Sequence, residues 1–230
     1  MAGLLQRIRG KGLQVLCRLL FAVRRRDDLV RLGSEHGGWT VPASVLEAGA
    51  ICYCAGAGED LSFDLALTDR FACRVLVIDP TPRAVRHFEK IAGAVHGLTL
   101  VPFGLWNRDE TTRFYAPRDP RHVSHSIPNL QGTDRYFEAP CRRLTTLMRE
   151  FGHRSLDLLK LDIEGSEHAV IEDMLDAGVR PTILLVEFDQ PAPTLKTVAL
   201  VRELERQGYG LVNIERWNFS FLLATGRPAV

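Results

Sequence analysis

From about residue 45 onward, short apolar runs alternate with longer stretches of helical periodicity, and this alternation constrains the fold more than any other feature. The first two apolar runs are Ala50–Cys54 and Arg74–Ile78. Strands that alternate with helices are typical of a parallel sheet covered by helices on both faces. The sequence therefore predicts one doubly wound α/β domain over residues 45–230, preceded by an extension over residues 1–44.

Three further apolar runs predict parallel strands, and two closing runs predict an antiparallel hairpin, which gives seven strands in all. These runs are Leu98–Val101, Leu156–Leu161, Thr182–Val186, Leu211–Ile214 and Phe219–Leu223. Between the third and fourth strands, Trp106 and Phe114–Tyr115 predict a further hairpin. Residues 117–140 then show little periodicity, and a loop of this length inside a compact domain is usually a functional lid or a disordered segment.

The charges and cysteines limit the partners and the compartment. The formal net charge of +1 argues against nucleic acid, which usually needs a strong basic excess. The five cysteines are an odd number without a CxxC pair, which indicates free thiols in a reducing compartment and hence a cytoplasmic protein.

The first 31 residues are much more basic than the rest, with eight Lys or Arg against two acids. Their apolar residues recur at helical spacing from Leu4 to Val23, so residues 1–44 are predicted to be a basic amphipathic helical extension. A helix of this kind can make peripheral contact with an anionic membrane through residues 1–31. The alternative is a helix packed across the mouth of the α/β domain.

Two strand ends carry the features of an adenosine-binding site. Gly56 and Gly58 follow the first strand, where glycines allow a ligand to approach the backbone closely. Asp79 ends the second strand about 20 residues later, where an acid can accept hydrogen bonds from both hydroxyls of a ribose. The dinucleotide fingerprint needs a further glycine where Leu61 stands, and this disfavours an NAD-dependent oxidoreductase.

A third strand end carries Asp162, Glu164 and Glu167 within six residues. Acids at a helix N-terminus are favoured by the helix dipole, so one or two of them can be purely structural. Asp162 follows the strand directly and is the strongest candidate for a functional role. A divalent cation held by Asp162, Glu187 and Asp189 is an alternative that their spacing does not require, so no metal is assigned.

Four segments together resemble the FkbM family of methyltransferases over roughly residues 45–225. They are Tyr53–Asp60, Asp79–Pro82, Val123–Ser126 and Lys160–Glu167, and the last, Lys-x-Asp-x-Glu-Gly-x-Glu, is the most specific. The resemblance implies the class I methyltransferase (Rossmann-like) fold, a doubly wound seven-stranded sheet with a C-terminal antiparallel hairpin. It implies S-adenosylmethionine as cofactor and O-methylation of a hydroxyl on a small molecule, sugar or glycan.

By position, the resemblance implies that Gly56 and Gly58 approach the methionine part of the cofactor. Asp79 would bind the ribose, Phe103 or Gly104 would lie near the adenine, and Asp162 near the methyl-transfer region. Many class I enzymes carry an acid where this chain has Cys52, and Glu59 and Asp60 are candidates to supply the missing charge facing the methionine ammonium. The full set of candidate cofactor-binding residues is Tyr53, Gly56, Gly58, Glu59, Asp60, Asp79, Phe103, Gly104 and Asp162.

A hydroxyl acceptor needs a base, and His125 is the candidate because a neutral imidazole is competent near pH 7. His122 is its nearest competitor, and Glu164 or Asp162 is an alternative if burial raises its pKa. A different class of function is a non-catalytic adenosine-binding domain that acts as a scaffold or sensor. Such a domain would keep the glycine turn and Asp79 without needing polar groups in residues 117–140.

Overall fold

The computed structural model describes residues 20–188 and 195–224. The elements in chain order are β1 (Leu29–Leu32), β2 (Trp39–Pro42), β3 (Ile51–Ala55), α1 (Ser62–Phe71), β4 (Arg74–Ile78), α2 (Pro82–Ile91), β5 (Leu98–Val101), β6 (Gly104–Leu105), β7 (Glu110–Tyr115), β8 (Tyr136–Arg142), α3 (Leu144–Glu150), β9 (Leu158–Leu161), α4 (Glu167–Asp176), β10 (Ile183–Glu187), α5 (Leu195–Arg206), β11 (Tyr209–Glu215) and β12 (Asn218–Leu223).

Seven strands form the central sheet in the order β11-β12-β10-β9-β3-β4-β5. The five strands from β10 to β5 run parallel, and β12 pairs antiparallel with both β10 and β11. This confirms the predicted doubly wound sheet of seven strands with its C-terminal antiparallel hairpin. The order reverses between β3 and β9, so a ligand crevice is expected at the carboxyl ends of these two strands.

The central strands are apolar on both faces because each face is covered. Tyr53 and Leu76 belong to one hydrophobic cluster, together with residues of α3, α4 and α5. Their strand neighbours Cys52 and Val75 belong to the other cluster, together with residues of α1 and α2. Successive side chains of a strand point to opposite faces, so a buried parallel strand reads as a continuous apolar run.

A second, three-stranded sheet with the order β6-β8-β7 stands beside the central one. The predicted hairpin from Trp106 to Tyr115 is wrong in its partner, because β7 pairs antiparallel with β8 instead. β8 also occupies the end of the segment predicted to be irregular, which leaves residues 116–135 as the loop. Along β8, buried and exposed residues alternate, and the strand contains Pro140. β8 therefore lacks the continuous apolar run of a central strand.

The predicted N-terminal helix does not continue beyond Leu20 in the described part of the chain, and residues 1–19 lie outside it. In place of a helix, β1 and β2 form an antiparallel hairpin. Trp39 is 1% exposed within the second cluster, and the Ser220 hydroxyl of β12 donates to the Thr40 carbonyl at 2.7 Å. The helical spacing ends at Val23, so the hairpin lies beyond it, and these contacts bind the hairpin to the domain. No helix within residues 20–188 and 195–224 is long and apolar enough to cross a membrane.

Candidate active site

A cavity of about 410 Å³ opens at the carboxyl ends of β3, β4 and β9. Its volume lies in the range of small-molecule sites, which is about 300–1,000 Å³. Nine of the eleven residues singled out as site candidates line it. They are Gly56, Gly58, Glu59, Asp60, Asp79, Gly104, His125, Asp162 and Glu164.

The turn after β3 brings the ends of two neighbouring strands into contact. Gly56 has a φ of +81°, and its amide donates to the Ile78 carbonyl at 3.0 Å. A Cβ placed on Gly56 would lie 1.7 Å from the backbone oxygen of Asp162. Only glycine allows this close approach. The backbone of Gly56 therefore packs directly against the backbone of Asp162, and no side chain separates the ends of β3 and β9 in the cavity wall.

Asp79 holds the glycine turn in shape. Its Oδ2 accepts hydrogen bonds from the amides of Ala57 (3.0 Å) and Gly58 (2.9 Å), and its Oδ1 accepts one from the amide of Thr81 at 2.8 Å. A carboxylate has about four acceptor positions, so three are already used. One acceptor position on Oδ1 remains for a ligand hydroxyl. Asp79 was predicted to accept hydrogen bonds from both hydroxyls of a ribose, so this prediction is reduced to one of them.

Lys160 is a buried cation beneath the turn. Its ammonium donates to the Gly56 carbonyl at 2.5 Å and lies 3.3 Å from Oδ2 of Asp162. Burial by itself would lower the pKa of Lys160, but the carboxylates of Asp162 and Asp64 raise it. Lys160 therefore stays charged and ties the end of β3 to the end of β9.

The loop after β9 is shaped by Glu167, which is 1% exposed. Its Oε1 accepts hydrogen bonds from the amides of Ile163 (2.9 Å) and Gly165 (3.2 Å). Burial is the main cause that raises the pKa of Glu167 to about 8. Glu164, in the left-handed region at a φ of +52°, has its pKa raised mainly by burial, and the nearby Asp162 raises it further.

We expect Glu167→Gln to change how stability depends on pH. The folded state holds a proton on Glu167 up to about pH 8, while the unfolded chain releases it near 4.5. The free energy of unfolding therefore falls as pH rises through this window, by roughly a few kcal/mol at most. Glutamine keeps the acceptor oxygen but cannot ionise. Between pH 5 and pH 8, urea unfolding should therefore show the free energy of unfolding of the variant increasing relative to that of the parent.

The matched control for this experiment is Glu172→Gln, on the exposed side of the same helix. It should follow the parent at every pH. A difference between Glu167→Gln and the parent that stays constant from pH 5 to pH 8 would contradict the prediction.

The loop of residues 116–135 covers one side of the cavity. Val123, Ser124 and His125 line it, and the Ser124 side chain hydrogen-bonds Glu164. Nδ1 of His125 lies 2.8 Å from the Val123 carbonyl oxygen. A carbonyl only accepts, so Nδ1 carries a proton, and in the neutral imidazole the lone pair is therefore on Nε2.

The β1–β2 hairpin supplies a part of the wall that the sequence did not predict. His36 and Gly37, from its turn, line the cavity. Asp60 accepts from the Ser34 hydroxyl at 2.5 Å and from the Ser62 amide at 3.0 Å. Burial would raise the pKa of Asp60, but these hydrogen bonds lower it, so the carboxylate is ionised and fixed against the hairpin.

Glu59 is held differently, by two hydrogen bonds from the Arg83 guanidinium at 2.5 and 3.1 Å. Both side chains are more than a third exposed, so this pair is solvent-screened and contributes little to stability. The two acids expected to face the ligand ammonium therefore both have protein partners. Asp162 is a third carboxylate beside the glycine turn, and its Oδ2 pairs with Lys160.

Two of the predicted cofactor-binding residues do not line the cavity. Tyr53 is 0% exposed, and its hydroxyl lies 2.9 Å from Nδ1 of His153 before β9. Tyr53 lies two residues before the carboxyl end of β3, and the alternation of the strand directs its side chain into the core. The predicted contact between Tyr53 and the cofactor therefore does not fit the position of its side chain. Phe103 packs against the core with the Arg142 guanidinium 4.8 Å from its ring centre, and its neighbour Gly104 lines the cavity instead.

Lys160 and Glu167 belong to the Lys-x-Asp-x-Glu-Gly-x-Glu motif, but neither was predicted to shape the cavity wall. The sequence feature that could have identified Lys160 is a charged residue inside an apolar strand, because a buried lysine needs a partner of opposite charge or a hydrogen-bond acceptor.

Of the candidate metal ligands, Asp189 lies outside the described residues. Within residues 20–188 and 195–224, no group of three or more His, Cys, Asp or Glu side chains is arranged to hold a metal ion.

Comparison with known proteins adds a family match. Residues 56–211, more than half of the 230-residue chain, match the family model of the methyltransferase FkbM domain. No curated protein sequence matches the chain.

Two solved structures are similar to the chain. Precorrin-6y C5,15-methyltransferase from Geobacter metallireducens GS-15 is 14% identical with a TM-score of 0.43, over 77% of this chain and 82% of that one. Fibrillarin from Aeropyrum pernix, in complex with natively bound S-adenosyl-L-methionine, is 10% identical with a TM-score of 0.45, over 88% and 85%.

Proposed function

The chain belongs to the FkbM family of methyltransferases, and from this premise we propose that it methylates a hydroxyl oxygen of a small molecule or sugar. The central sheet is the seven-stranded sheet of the class I methyltransferase fold, and S-adenosylmethionine is the cofactor. The observation that carries the choice of oxygen is His125, whose free Nε2 can remove the proton that an alcohol must lose.

The residues around the cavity fit S-adenosylmethionine. Gly56 gives the backbone approach that the methionine part needs, and Asp79 keeps one acceptor position for a ribose hydroxyl. Asp162 places a carboxylate beside the glycine turn, where a ligand ammonium can pair with it. Gly104, Leu105 and other apolar groups of the cavity wall offer an apolar surface to the adenine base.

Bound S-adenosylmethionine supplies a sulfonium methyl group, which passes to a nucleophile as the carbon–sulfur bond breaks and leaves a neutral thioether. His125 accepts the hydroxyl proton on Nε2, while its Nδ1–H continues to donate to the Val123 carbonyl and so fixes the ring. Asp162 and Glu164 line the same cavity as His125. Positioning of the acceptor by the surrounding residues can contribute about 7–11 kcal/mol to lowering the barrier.

A carboxylate base is the alternative within the same function. Glu164 is half-buried with a raised pKa, so it holds protons more readily than an exposed glutamate. A non-catalytic adenosine-binding domain is the alternative of another class. Such a domain needs the glycine turn and Asp79, but it has no use for an imidazole with a free Nε2 in the cavity wall.

We expect calorimetry to show that S-adenosylmethionine binds and that NAD does not. Asp79→Ala should weaken the binding by about tenfold or more, because it removes a charged acceptor and leaves the backbone amides of Ala57, Gly58 and Thr81 without their partner. Asp69→Ala, an exposed acid on α1, is the matched control and should bind like the parent.

Methyl transfer is then measured as release of S-adenosylhomocysteine with panels of alcohols, sugars and amines. Release with hydroxyl acceptors supports the proposal. Absence of S-adenosylmethionine binding, or release with amines alone, would overturn it.

A further inference from the structure

One face of α2 carries four basic residues and stands beside the cavity. Arg83, Arg86, His87 and Lys90 follow one another at spacings of three, one and three residues, so they share one side of the helix. The opposite side carries Ala84 and Phe88, which are 3% and 5% exposed. The basic side is therefore turned away from the core.

These four residues, together with Glu59, line a groove of about 370 Å³. Glu59 also lines the 410 Å³ cavity, so groove and cavity share a wall at this side chain. Within the described part of the chain, Arg83 pairs with Glu59, while Arg86, His87 and Lys90 have no ion pair. Glu59 is the one acid among the described residues that line the groove, and it pairs with Arg83, so Arg86 and Lys90 leave the lining with an excess of positive charge.

This charge does not reflect a basic domain. Residues 32–230 carry 21 basic and 26 acidic side chains, so the basic side of α2 is a local reversal of sign. Arg83 also donates to the carbonyls of Pro120 and Arg121, both at 3.3 Å. The groove is therefore joined to the loop of residues 116–135, which carries His125.

We propose that this basic groove binds a phosphate group carried by the methyl acceptor. The inference rests on the proposed function, because it makes the groove an extension of the same site. Arginine and lysine side chains are the usual ligands of phosphate oxygens, and unpaired cations in a concave surface bind anions more strongly than cations on a flat one. Since the groove and the cavity share Glu59, an acceptor in the cavity that carries its phosphate on the side of Glu59 directs this group toward the groove.

The first test measures the binding of inorganic pyrophosphate by calorimetry at low ionic strength. The double variant Arg86→Glu/Lys90→Glu should weaken binding at least tenfold. The matched control is Lys196→Glu/Arg202→Glu, which makes the same charge change at exposed positions of α5. This control should change binding less than twofold, and equal weakening in both variants would overturn the proposal.

Binding of S-adenosylmethionine is measured on the same samples and should stay within twofold of the parent in both variants. This separates the two claims. If the parent does not bind S-adenosylmethionine, the proposed function fails, while the pyrophosphate titration still decides on the groove.

The second test identifies the source of the phosphate. Release of S-adenosylhomocysteine is compared for sugars and the same sugars as phosphates, and pelleting is measured with phosphatidylcholine vesicles containing phosphatidic acid. A preference for the sugar phosphate that Arg86→Glu/Lys90→Glu abolishes supports a soluble acceptor, and pelleting that this variant abolishes supports a lipid-borne phosphate. Equal transfer to both members of each pair, with pelleting unaffected, would overturn the proposal.

Discussion

Gly56→Ala is expected to destabilise the protein by about 2–5 kcal/mol, a large part of the stability of an ordinary domain. The added methyl group would lie 1.7 Å from the backbone oxygen of Asp162, and neither β3 nor β9 can move without breaking its ladder in the centre of the sheet. Overpacking alone costs roughly 1–3 kcal/mol, and the left-handed backbone adds roughly 1–2 kcal/mol. The whole stability of a domain is only about 5–15 kcal/mol.

Gly49→Ala is the matched control, because Gly49 has a φ of +82° and nothing lies within 4 Å of its added Cβ. It carries the backbone cost without the clash and should lose about 1–2 kcal/mol. Both variants are compared with the parent by urea unfolding with linear extrapolation. A Gly56→Ala protein that unfolds within about 1 kcal/mol of Gly49→Ala would show that the two strand ends can separate.

His125→Asn is expected to lower kcat by about 10²–10⁴-fold, the usual contribution of a positioned base. The asparagine amide can still donate to the Val123 carbonyl, so the loop keeps its hydrogen bond while Nε2 is lost. Binding of S-adenosylmethionine should stay within twofold of the parent. The measurement is the rate of S-adenosylhomocysteine release with the best acceptor, as a function of pH.

His122→Asn is the control, since His122 is exposed in the same loop and does not line the cavity. It should keep the parent's rate and pH profile. If His125→Asn stays active while Glu164→Gln loses the activity, the base is the carboxylate and the assignment to His125 is wrong.

The strands of the central sheet were predictable because each of them is a short apolar run bounded by turn residues. β8 was not, because a half-exposed strand with Pro140 in it has no continuous apolar run, and its pairing with β7 is decided by tertiary contacts. The β1–β2 hairpin was hidden for a similar reason. The hairpin follows a stretch of helical spacing closely in the sequence. The feature that distinguishes a hairpin from a longer helix here is the packing of Trp39 against the core, which the sequence pattern does not contain.

For the site, the topology alone places Gly56, Asp79 and Asp162 at one edge of the sheet, so strand ends could be identified from the sequence. The direction of a side chain could not. Tyr53 points into the core, and the Asp79 carboxylate accepts three hydrogen bonds from backbone amides. Such choices depend on which amides are left without partners after the chain has folded, and a linear pattern does not contain that information.

The hairpin of β1 and β2 has a consequence for where this domain can be cut. The family match begins at residue 56, yet the ordered unit includes Trp39 in its core and Gly37 at the rim of the cavity. A fragment that starts at the family boundary would leave Asp60 without Ser34 and would expose the apolar surface that Trp39 covers. Chimeras between relatives should therefore be joined before Leu29, so that the entrance to the cavity is exchanged together with the strands that support it.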